Sequence, residues 1–165
     1  MDLWVPMIGD AIAAKKIATL FGDGTSVCNY IAVNDVAEIA VRILQRDDIR
    51  NETIEIGGPS TVSLNDLATM IETSLGVTAG RRRIPVPVLR WGSTLLRPFH
   101  EVASRMMSLG YFTATNNGRF DDWQRSMQRF DVSPKTLEEF VSARYRTPTA
   151  PPAASAPASP PTIPS

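Results

Sequence analysis

The sequence predicts an α/β fold that consists of helices and a few short strands. Apolar residues recur at helical spacing in several stretches, and shorter apolar runs bounded by glycine, proline or asparagine have the length and composition of strands. Hydrophobic residues make up 43% and charged residues 21% of the 165 positions. That balance is ordinary for a globular domain and allows a hydrophobic core of useful size.

The first part of the chain predicts a helix followed by two strands. Residues 3–14 place apolar side chains at helical spacing. Strands are expected over residues 17–21 and 27–33. The sequence Gly22-Asp23-Gly24 separates them and predicts a turn, because glycine tolerates a positive φ.

The next segment predicts a helix and a third strand. Asn34 or Asp35 is expected to cap the helix, which ends near Asp47. Residues 53–56 alternate polar and apolar side chains as a strand does, and Gly57-Gly58-Pro59 ends that strand.

Two helical regions follow. Ser63 is a suitable N-cap for a helix with a regular apolar face, and Gly76 is suited to its C-terminal end. Residues 87–109 have a largely helical pattern, with breaks expected near Gly92 and Pro98.

The chain divides into a globular part and a tail. Ser133-Pro134 is expected to open the last helix, because proline suits the first helical position. Thirteen prolines are present, and seven of them lie at position 148 or later. Residues 147–165 carry no charge and only Ile163 as a large apolar side chain, so a disordered Pro/Ala/Ser-rich tail is predicted there. Residues 1–146 form the predicted domain.

Composition excludes several classes of function. Seventeen basic residues balance seventeen acidic ones, which excludes a general nucleic-acid binder. The one cysteine, Cys28, excludes a disulfide framework, and the one histidine, His100, excludes every two-histidine metal motif. No apolar stretch reaches the roughly 18 residues that span a membrane, and the N-terminus lacks the features of a secretory signal. A cytoplasmic location is therefore expected.

Familiar motifs of nucleotide-dependent catalysis are absent from the sequence. No lysine follows a glycine, as a phosphate-binding loop requires. Gly22-Asp23-Gly24 begins a dinucleotide fingerprint, but Val27 occupies the third glycine position. Neither a Tyr-x-x-x-Lys pair nor a Gly-x-Ser-x-Gly elbow occurs. The glycines are interpreted as turn residues, and no catalytic residue, cofactor-binding residue or metal ligand is predicted.

Two small groups have alternative interpretations. Asp35 and Glu38 resemble a carboxylate pair, but their position at a helix start favours capping. Cys28 lies in a strand pattern and is interpreted as a buried small hydrophobic residue rather than a nucleophile.

The arginines are concentrated in one region. Residues 81–105 carry six arginines against one glutamate. An edge strand is predicted over residues 81–86, and it contains the run Arg81-Arg82-Arg83. This run has two interpretations: it contacts an anion or an acidic partner, or it is the solvated edge of the strand. The helical segment that follows combines apolar residues with Arg90 and Arg97. Such a basic amphipathic helix either lies on an anionic membrane surface or packs on its own domain.

Four sequence blocks occur in an order that is typical of one enzyme superfamily. They are Phe21-Gly22-Asp23-Gly24, Asn29-Tyr30-Ile31-Ala32-Val33-Asn34-Asp35-Val36-Ala37, Ile54-Glu55-Ile56-Gly57-Gly58-Pro59, and Pro134 followed by Leu137-Glu138-Glu139-Phe140. Together they resemble the C-terminal half of the NAD(P)-dependent short-chain dehydrogenases/reductases, in the extended and atypical branch of epimerase/dehydratase-like and NmrA-like proteins. The resemblance covers about residues 1–145. Each block alone is weak, and their order and spacing carry the specificity.

The resemblance implies an incomplete Rossmann-type fold, the substrate-side portion without the N-terminal nucleotide-binding half. The family's glycine-rich loop and Tyr-x-x-x-Lys site lie in that missing half. NAD(P) is implied for the complete family protein, and no cofactor is expected for this chain alone. Trp4, Met7 and Tyr30 are then expected to shape the pocket for a small-molecule substrate. Cys28 stands where nucleotide-sugar members carry a phosphate-binding arginine, which argues against such a substrate.

Two functions remain open on this resemblance. The first is the substrate-binding C-terminal part of an NAD(P)-dependent oxidoreductase or epimerase-like protein, not catalytic by itself, with a separate chain as a candidate carrier of the nucleotide-binding half. The second is a non-catalytic NmrA-like regulatory module, or one associated with a membrane or complex. Residues 53–57 match an outer strand of the family's parallel sheet, so the isolated chain is expected to be marginally stable, oligomeric or aggregation-prone.

Overall fold

The computed structural model describes residues 1–120 and 122–145. Within them the chain forms helices and short strands, which confirms the predicted α/β class. The elements in chain order are α1 (Trp4–Lys15), β1 (Ile17–Phe21), β2 (Val27–Tyr30), α2 (Val33–Leu44), β3 (Ser60–Ser63), α3 (Leu64–Leu75), β4 (Gly80–Ile84), α4 (Val86–Leu95), α5 (Glu101–Thr115), α6 (Trp123–Arg129) and α7 (Leu137–Tyr145). The tail predicted over residues 147–165 lies outside the described residues.

The strands form two separate pairs. β1 and β4 are parallel, and their register places Ile17 opposite Gly80 and Phe21 opposite Ile84. β2 and β3 are antiparallel, with Val27 opposite Ser63. The Gly22-Asp23-Gly24 turn is confirmed, since Gly22 has φ +65 and Gly24 has φ +74.

A large hydrophobic cluster, the first cluster, lies between α1, β1, α3, α4 and α7. Ile8, Leu20, Leu67, Ile71 and Leu89 are among its fully buried side chains. These residues repeat at helical spacing on their helices and alternate along β1, so each element turns one apolar face inward. The elements therefore surround this cluster from several sides.

Two sets of polar contacts lie at the edges of the first cluster. Ser63 forms a capping box with Asp66 at the start of α3, and Gly76 ends that helix in the left-handed conformation, as predicted. At the other end of the chain, the Tyr145 hydroxyl donates to Asp10 Oδ1 at 2.7 Å while its ring lies directly against Gly9. Any side chain at Gly9 would overlap that ring, so α7 packs on α1 through this glycine.

A smaller hydrophobic cluster, the second cluster, lies between α2, α6 and irregular residues. Its buried side chains are Ile39, Met127, Phe130 and Val132. Partly buried side chains pack against them, and these are Ile31, Ile43, Ile49, Ile54, Ile56 and Trp123. Only one face of α2 contributes to this cluster.

The opposite face of α2 is apolar and exposed. We call it the α2 outer face; its large side chains are Val33, Val41 and Leu44. Val33 is 59%, Val41 54% and Leu44 86% exposed. The helix therefore has apolar residues on two faces, of which the described part of the chain covers one.

The predicted strand over residues 53–56 is wrong, because these residues form no strand. Among the residues that the structure describes, no neighbouring strand offers them a backbone partner. Ile54 and Ile56 instead pack against the second cluster, and the Glu55 carbonyl accepts a hydrogen bond from Ser126 Oγ at 2.6 Å.

The predicted break at Gly92 is also wrong. Gly92 lies inside α4, where its bare Cα lets Met107 of α5 pack directly against the helix. The break falls at residues 96–100, next to Pro98 as predicted. Glycine here provides a close helix–helix approach rather than a helix end.

Two predicted caps are formed by other residues. α2 begins at Val33, ahead of Asn34 and Asp35, and Asp2 Oδ2 accepts from the Val33 N–H at 3.0 Å. α7 begins after Ser133-Pro134, where Thr136 and Glu139 accept hydrogen bonds from each other's backbone N–H. The cap of α2 depends on a contact between distant residues, whereas that of α7 is a local Thr-x-x-Glu capping box.

No helix within residues 1–120 and 122–145 has the length and apolar character that crossing a membrane requires.

Candidate functional site

The predicted pocket residues come from two elements that meet at the first cluster. Trp4 and Met7 lie in the first two turns of α1 and are partly buried against the cluster. Tyr30, the last residue of β2, is only 3% exposed. All three residues therefore belong to the surroundings of one core, with Tyr30 inside it.

Trp4 is held by an aromatic contact that spans three elements. Its ring packs edge-on against Phe21 of β1, with the ring centroids 5.7 Å apart. The other side of Phe21 lies against Gly110 of α5, where a Cβ would come within 2.7 Å of the ring. Gly110 therefore allows α5 to approach the Trp4–Phe21 pair, and α5 forms a wall of this region.

The Tyr30 hydroxyl is buried and unpaired. Among the described residues it has no hydrogen-bond partner of ordinary geometry. Burial, followed by the neighbouring Cys28, raises the pKa of Tyr30 far above its usual value. The hydroxyl is therefore neutral at physiological pH and can donate a hydrogen bond, but it does not ionise to act as a base.

Cys28 is half-buried in β2, two residues before Tyr30. Burial is the main cause that raises the pKa of its thiol. A thiol with a raised pKa carries little thiolate near neutral pH and is a weak nucleophile. This agrees with the interpretation of Cys28 as a small hydrophobic residue.

Asn29 is a site residue that the sequence did not single out. Its Nδ2 donates to the Gly58 carbonyl at 2.9 Å, and its Oδ1 accepts from the Phe120 N–H at 3.1 Å. One side chain thus joins β2 to the loop at Gly58 and to residues near 118–120. An asparagine in the middle of an apolar strand pattern is the signal that could have found it, because buried polar groups are normally hydrogen-bonded.

Neither glycine pair forms a phosphate cradle. Gly22-Asp23-Gly24 leads into a strand, so no helix N-terminus points at a ligand there. Gly57 packs against Phe120 and Trp123, and a Cβ at Gly58 would overlap the Tyr30 carbonyl oxygen. The space beside this second pair is filled by protein, so the pair does not form a cradle for a dinucleotide.

The carboxylate pair separates into two structural roles. Asp35 is buried, and its Oδ2 accepts from the Lys135 N–H at 2.9 Å, which ties α2 to the start of the last helix. Glu38 is exposed and pairs with Arg42 one turn later. The structure thus assigns Asp35 a tertiary contact instead of the predicted N-cap.

The five arginines predicted to contact an anion or a partner differ in exposure and in whether the guanidinium group already forms an ion pair. Arg81 forms an ion pair with Glu72, and its Nη2 donates to Glu72 Oε2 at 3.0 Å. Arg82, Arg83, Arg90 and Arg97 are exposed. The contact with an anion or a partner stays a prediction, and the four exposed arginines are those whose side chains are available for it.

Comparison with known proteins places this geometry in a familiar fold. No protein-family model matches the chain. Photosystem II assembly factor Ycf39 from Synechocystis is 24% identical over 129 residues, which are 75% of this chain and 39% of that protein. The chain thus spans about two fifths of the curated relative that it matches.

Solved structures of cofactor-dependent enzymes have the same fold over most of the chain. NADPH-dependent quinone oxidoreductase QOR2 from Escherichia coli, solved with NADPH, has a TM-score of 0.70 and 16% identity, over 87% of this chain and 50% of that one. Triphenylmethane reductase from Citrobacter, solved with NADP(H), has a TM-score of 0.64 and 12% identity, over 84% and 48%.

A nucleotide-sugar enzyme shares the fold as well. UDP-glucuronic acid 4-epimerase from Bacillus cereus, solved with NAD, has a TM-score of 0.63 and 20% identity, over 87% of this chain and 38% of that one. In each of these comparisons the chain corresponds to half of the enzyme or less. These likenesses confirm the fold that the sequence blocks indicate: the chain has a partial Rossmann-type fold, which it shares with NAD(P)-binding reductases and epimerases.

Proposed function

We propose that this chain is the substrate-binding C-terminal part of an NAD(P)-dependent oxidoreductase or epimerase-like protein, and that it is not catalytic as an isolated chain. The observation that carries the proposal is the α2 outer face. Its large side chains stay exposed although the opposite face of the same helix is buried in the second cluster.

A helix with apolar residues on two faces is normally packed on both sides. Folded monomers rarely leave a contiguous apolar surface uncovered, and α/β folds place such helices against a parallel sheet. Residues 53–56 lie beside α2 with Ile54 and Ile56 at the second cluster. A nucleotide-binding sheet, supplied by a further segment or a separate chain, would take up residues 53–56 as an outer strand on the side of the second cluster. Another element of that same segment or chain would cover the α2 outer face on the opposite side of the helix.

The described residues suit a substrate role better than a cofactor role. Trp4 and Met7 offer apolar surface at the first cluster, and Tyr30 carries a neutral hydroxyl without a protein partner in the same cluster. Cys28 leaves this region without a cation in β2 for a substrate phosphate. The proposed substrate is therefore a small molecule that is bound chiefly by apolar contacts.

Sedimentation velocity on the purified chain tests the proposal. The wild-type chain is expected to self-associate through the α2 outer face, whereas Val41→Lys/Leu44→Lys should be monomeric with an unchanged circular dichroism spectrum. Phe112→Lys removes a side chain of similar exposure from α5 and is the matched control. A monomeric wild-type chain with a sharp two-state melt would contradict the proposal.

A fluorescence titration with NADH and NADPH supplies the second test. The isolated chain is expected to show no saturable binding of either cofactor. Saturable binding by the isolated chain would overturn the proposal that this chain binds the substrate and another segment binds the cofactor.

A third test joins the chain to its proposed nucleotide-binding half. The DNA upstream of the Met1 codon should be read for a Gly-x-x-Gly-x-x-Gly strand–helix unit, and that unit then joined to the chain. Gain of cofactor binding on joining supports the proposal.

The alternative is a non-catalytic NmrA-like regulatory or complex-associated module. It is favoured by the similarity to Ycf39, a protein described as an assembly factor. The two functions differ after the chain is joined to its nucleotide-binding half. The enzyme part should then support hydride transfer to a small-molecule acceptor, whereas the regulatory module should bind cofactor without turnover.

A further inference from the structure

The hairpin formed by α4 and α5 carries large apolar side chains in solvent. Trp91 is 73%, Leu95 74%, Phe99 80% and Val102 75% exposed, and Val88 is half exposed. We call these five residues the hairpin strip. Val88, Trp91 and Leu95 share one face of α4 through their spacing. Trp91, Leu95 and Phe99 also line one shallow apolar depression.

The hairpin strip is a fixed outer surface. The inward faces of α4 and α5 are already packed: Leu89 is fully buried, and Gly92 lies directly against the Met107 sulfur. Ser104 Oγ also donates to the Ser93 carbonyl across the two helices. Turning the strip inward would break these contacts, so its exposure is a consequence of the packing itself.

The same region holds unpaired positive charge. Arg90 and Arg97 lie seven residues apart on one side of α4 and its end, and both are exposed. Neither forms an ion pair within residues 1–120 and 122–145. Arg105 does pair, with Glu101, the one acidic residue of residues 81–105. Arg82 and Arg83 on β4 add two further exposed cations next to the start of α4.

We propose that the hairpin strip, together with the exposed Arg90 and Arg97 that lie within two residues of it along the chain, binds the surface of an anionic lipid bilayer. An exposed tryptophan and phenylalanine next to arginines is the composition of segments that lie in the membrane interface. The apolar side chains enter the boundary between headgroups and acyl chains, while each arginine keeps its guanidinium at the lipid phosphates.

The shape of the strip favours lipid over a protein partner. A stable protein interface needs a surface complementary to a fixed partner shape. Side chains that are 73% to 80% exposed project from the hairpin and form only a shallow depression. A fluid bilayer adapts to projecting side chains, and its negative surface complements the excess of arginines. This surface is separate from the α2 outer face, which borders the second cluster.

Vesicle co-sedimentation of the purified chain tests the proposal. Vesicles that mix phosphatidylglycerol with phosphatidylcholine are expected to bind the wild-type chain, and vesicles of phosphatidylcholine alone to bind it much less. Added salt should weaken the binding, because it screens exposed charges. Arg90→Glu/Arg97→Glu should lower the affinity by roughly 25-fold or more, since each arginine near an anionic surface contributes roughly fivefold.

A second double variant measures what the apolar side chains contribute to vesicle binding. Trp91→Ser/Phe99→Ser removes two projecting side chains without touching the hairpin interior and should abolish binding even at low salt. Arg125→Glu and Leu3→Ser are the controls, because they change an exposed cation and an exposed leucine that lie outside both the hairpin strip and the α2 outer face. Both controls should bind anionic vesicles as the wild-type chain does.

Several results would overturn the proposal. These are absence of binding to anionic vesicles, equal binding to both vesicle types, or an equal loss in the control variants. A wild-type dimer that Trp91→Ser/Phe99→Ser converts to a monomer, with no vesicle binding, would assign the strip to an interface between copies instead. None of these readouts involves a nicotinamide cofactor, so the proposal fails or stands separately from the proposed enzyme role.

Discussion

The first and second clusters differ in how completely the chain surrounds them. Four helices and β1 enclose the first cluster, and the Ser63 capping box and the Tyr145–Asp10 hydrogen bond fasten its edges. The second cluster has α2 on one side and α6 with irregular residues on the other, and α2 turns a second apolar face to solvent. The difference indicates that the first cluster is enclosed by the described residues themselves, whereas α2 leaves an apolar face for a further element to cover.

The same substitution in the two regions gives the largest expected contrast. Leu67→Ala in the first cluster removes a fully buried side chain and should lower the free energy of unfolding by about 2–5 kcal/mol. Leu44→Ala on the α2 outer face removes an 86% exposed side chain and should change it by less than about 0.5 kcal/mol. Urea denaturation of both variants measures the contrast. Equal losses would show that the α2 outer face is already buried in solution.

An ion pair on the first cluster gives the next largest effect. Hydrogen bonding to Arg81 lowers the pKa of Glu72 below its usual 4.5, and the carboxylate also accepts from the Ala79 N–H at 2.7 Å. Glu72→Gln should therefore cost about 1.5–3 kcal/mol at pH 7, measured by urea denaturation. A lowered pKa in the folded state stabilises the fold above pH 4.5, and this contribution is lost as the pH falls through the folded value.

The second cluster offers a matched control for that ion pair. Glu52 pairs with Arg129 at its exposed edge, and the hydrogen bond from Arg129 lowers the pKa of Glu52 as well. Glu52→Gln should have a smaller effect that salt screens further, because exposed pairs contribute little. If Glu52→Gln costs as much as Glu72→Gln at high salt, the proposed difference between the regions is wrong.

Gly58 joins the two regions, so its substitution probes their connection. A Cβ at position 58 would overlap the Tyr30 carbonyl oxygen, and the backbone of β2 would have to shift. Gly58→Ala should cost about 1–3 kcal/mol through overpacking. Thermal melting of Gly58→Ala beside Gly80→Ala, where a Cβ lies in near-open space, checks this expectation. A larger loss in Gly80→Ala would contradict the close approach at Gly58.

The smallest expected difference between the two regions is in the hydrogen exchange of their backbone amides. Amides in α3, beside the first cluster, are expected to exchange only on global unfolding, whereas those in α2 open locally. A protection difference of at least about tenfold, or about 1.4 kcal/mol, is expected. Equal protection in α2 and α3 would show that the second cluster is as well enclosed as the first. Joining the nucleotide-binding half should raise the protection of α2 specifically.

Local patterns predicted much of the fold. Residues 3–14, Ile17–Phe21 and the Ser63–Gly76 helix follow from apolar spacing and caps, because these signals act within a few residues. The prediction of a strand over residues 53–56 was wrong because a strand needs a neighbour. Alternating polar and apolar side chains show that a segment can join a sheet, but the neighbouring strand must come from another part of the structure. The predicted helix break at Gly92 was wrong because a glycine inside a helix can also allow close packing of a neighbouring side chain, here that of Met107.

The candidate site was less predictable than the fold. Trp4, Met7 and Tyr30 came from the resemblance, and the structure shows that they reach one cluster from two elements. Asn29 was missed because its importance depends on Gly58 and Phe120, which are distant in sequence. Arg81 belongs to a charged run in the sequence, yet Glu72 occupies its guanidinium in the fold.

The sequence by itself determined the α/β class, the absence of a glycine-rich dinucleotide loop from these 165 residues and the concentration of arginines over residues 81–105. These properties depend only on which residues occur and at what spacing. Tertiary structure alone decided which α2 face is buried, which arginines stay free beside the hairpin strip, and why Gly9 and Gly58 carry no side chain. Those outcomes depend on contacts between segments far apart in the chain, and no local pattern contains them.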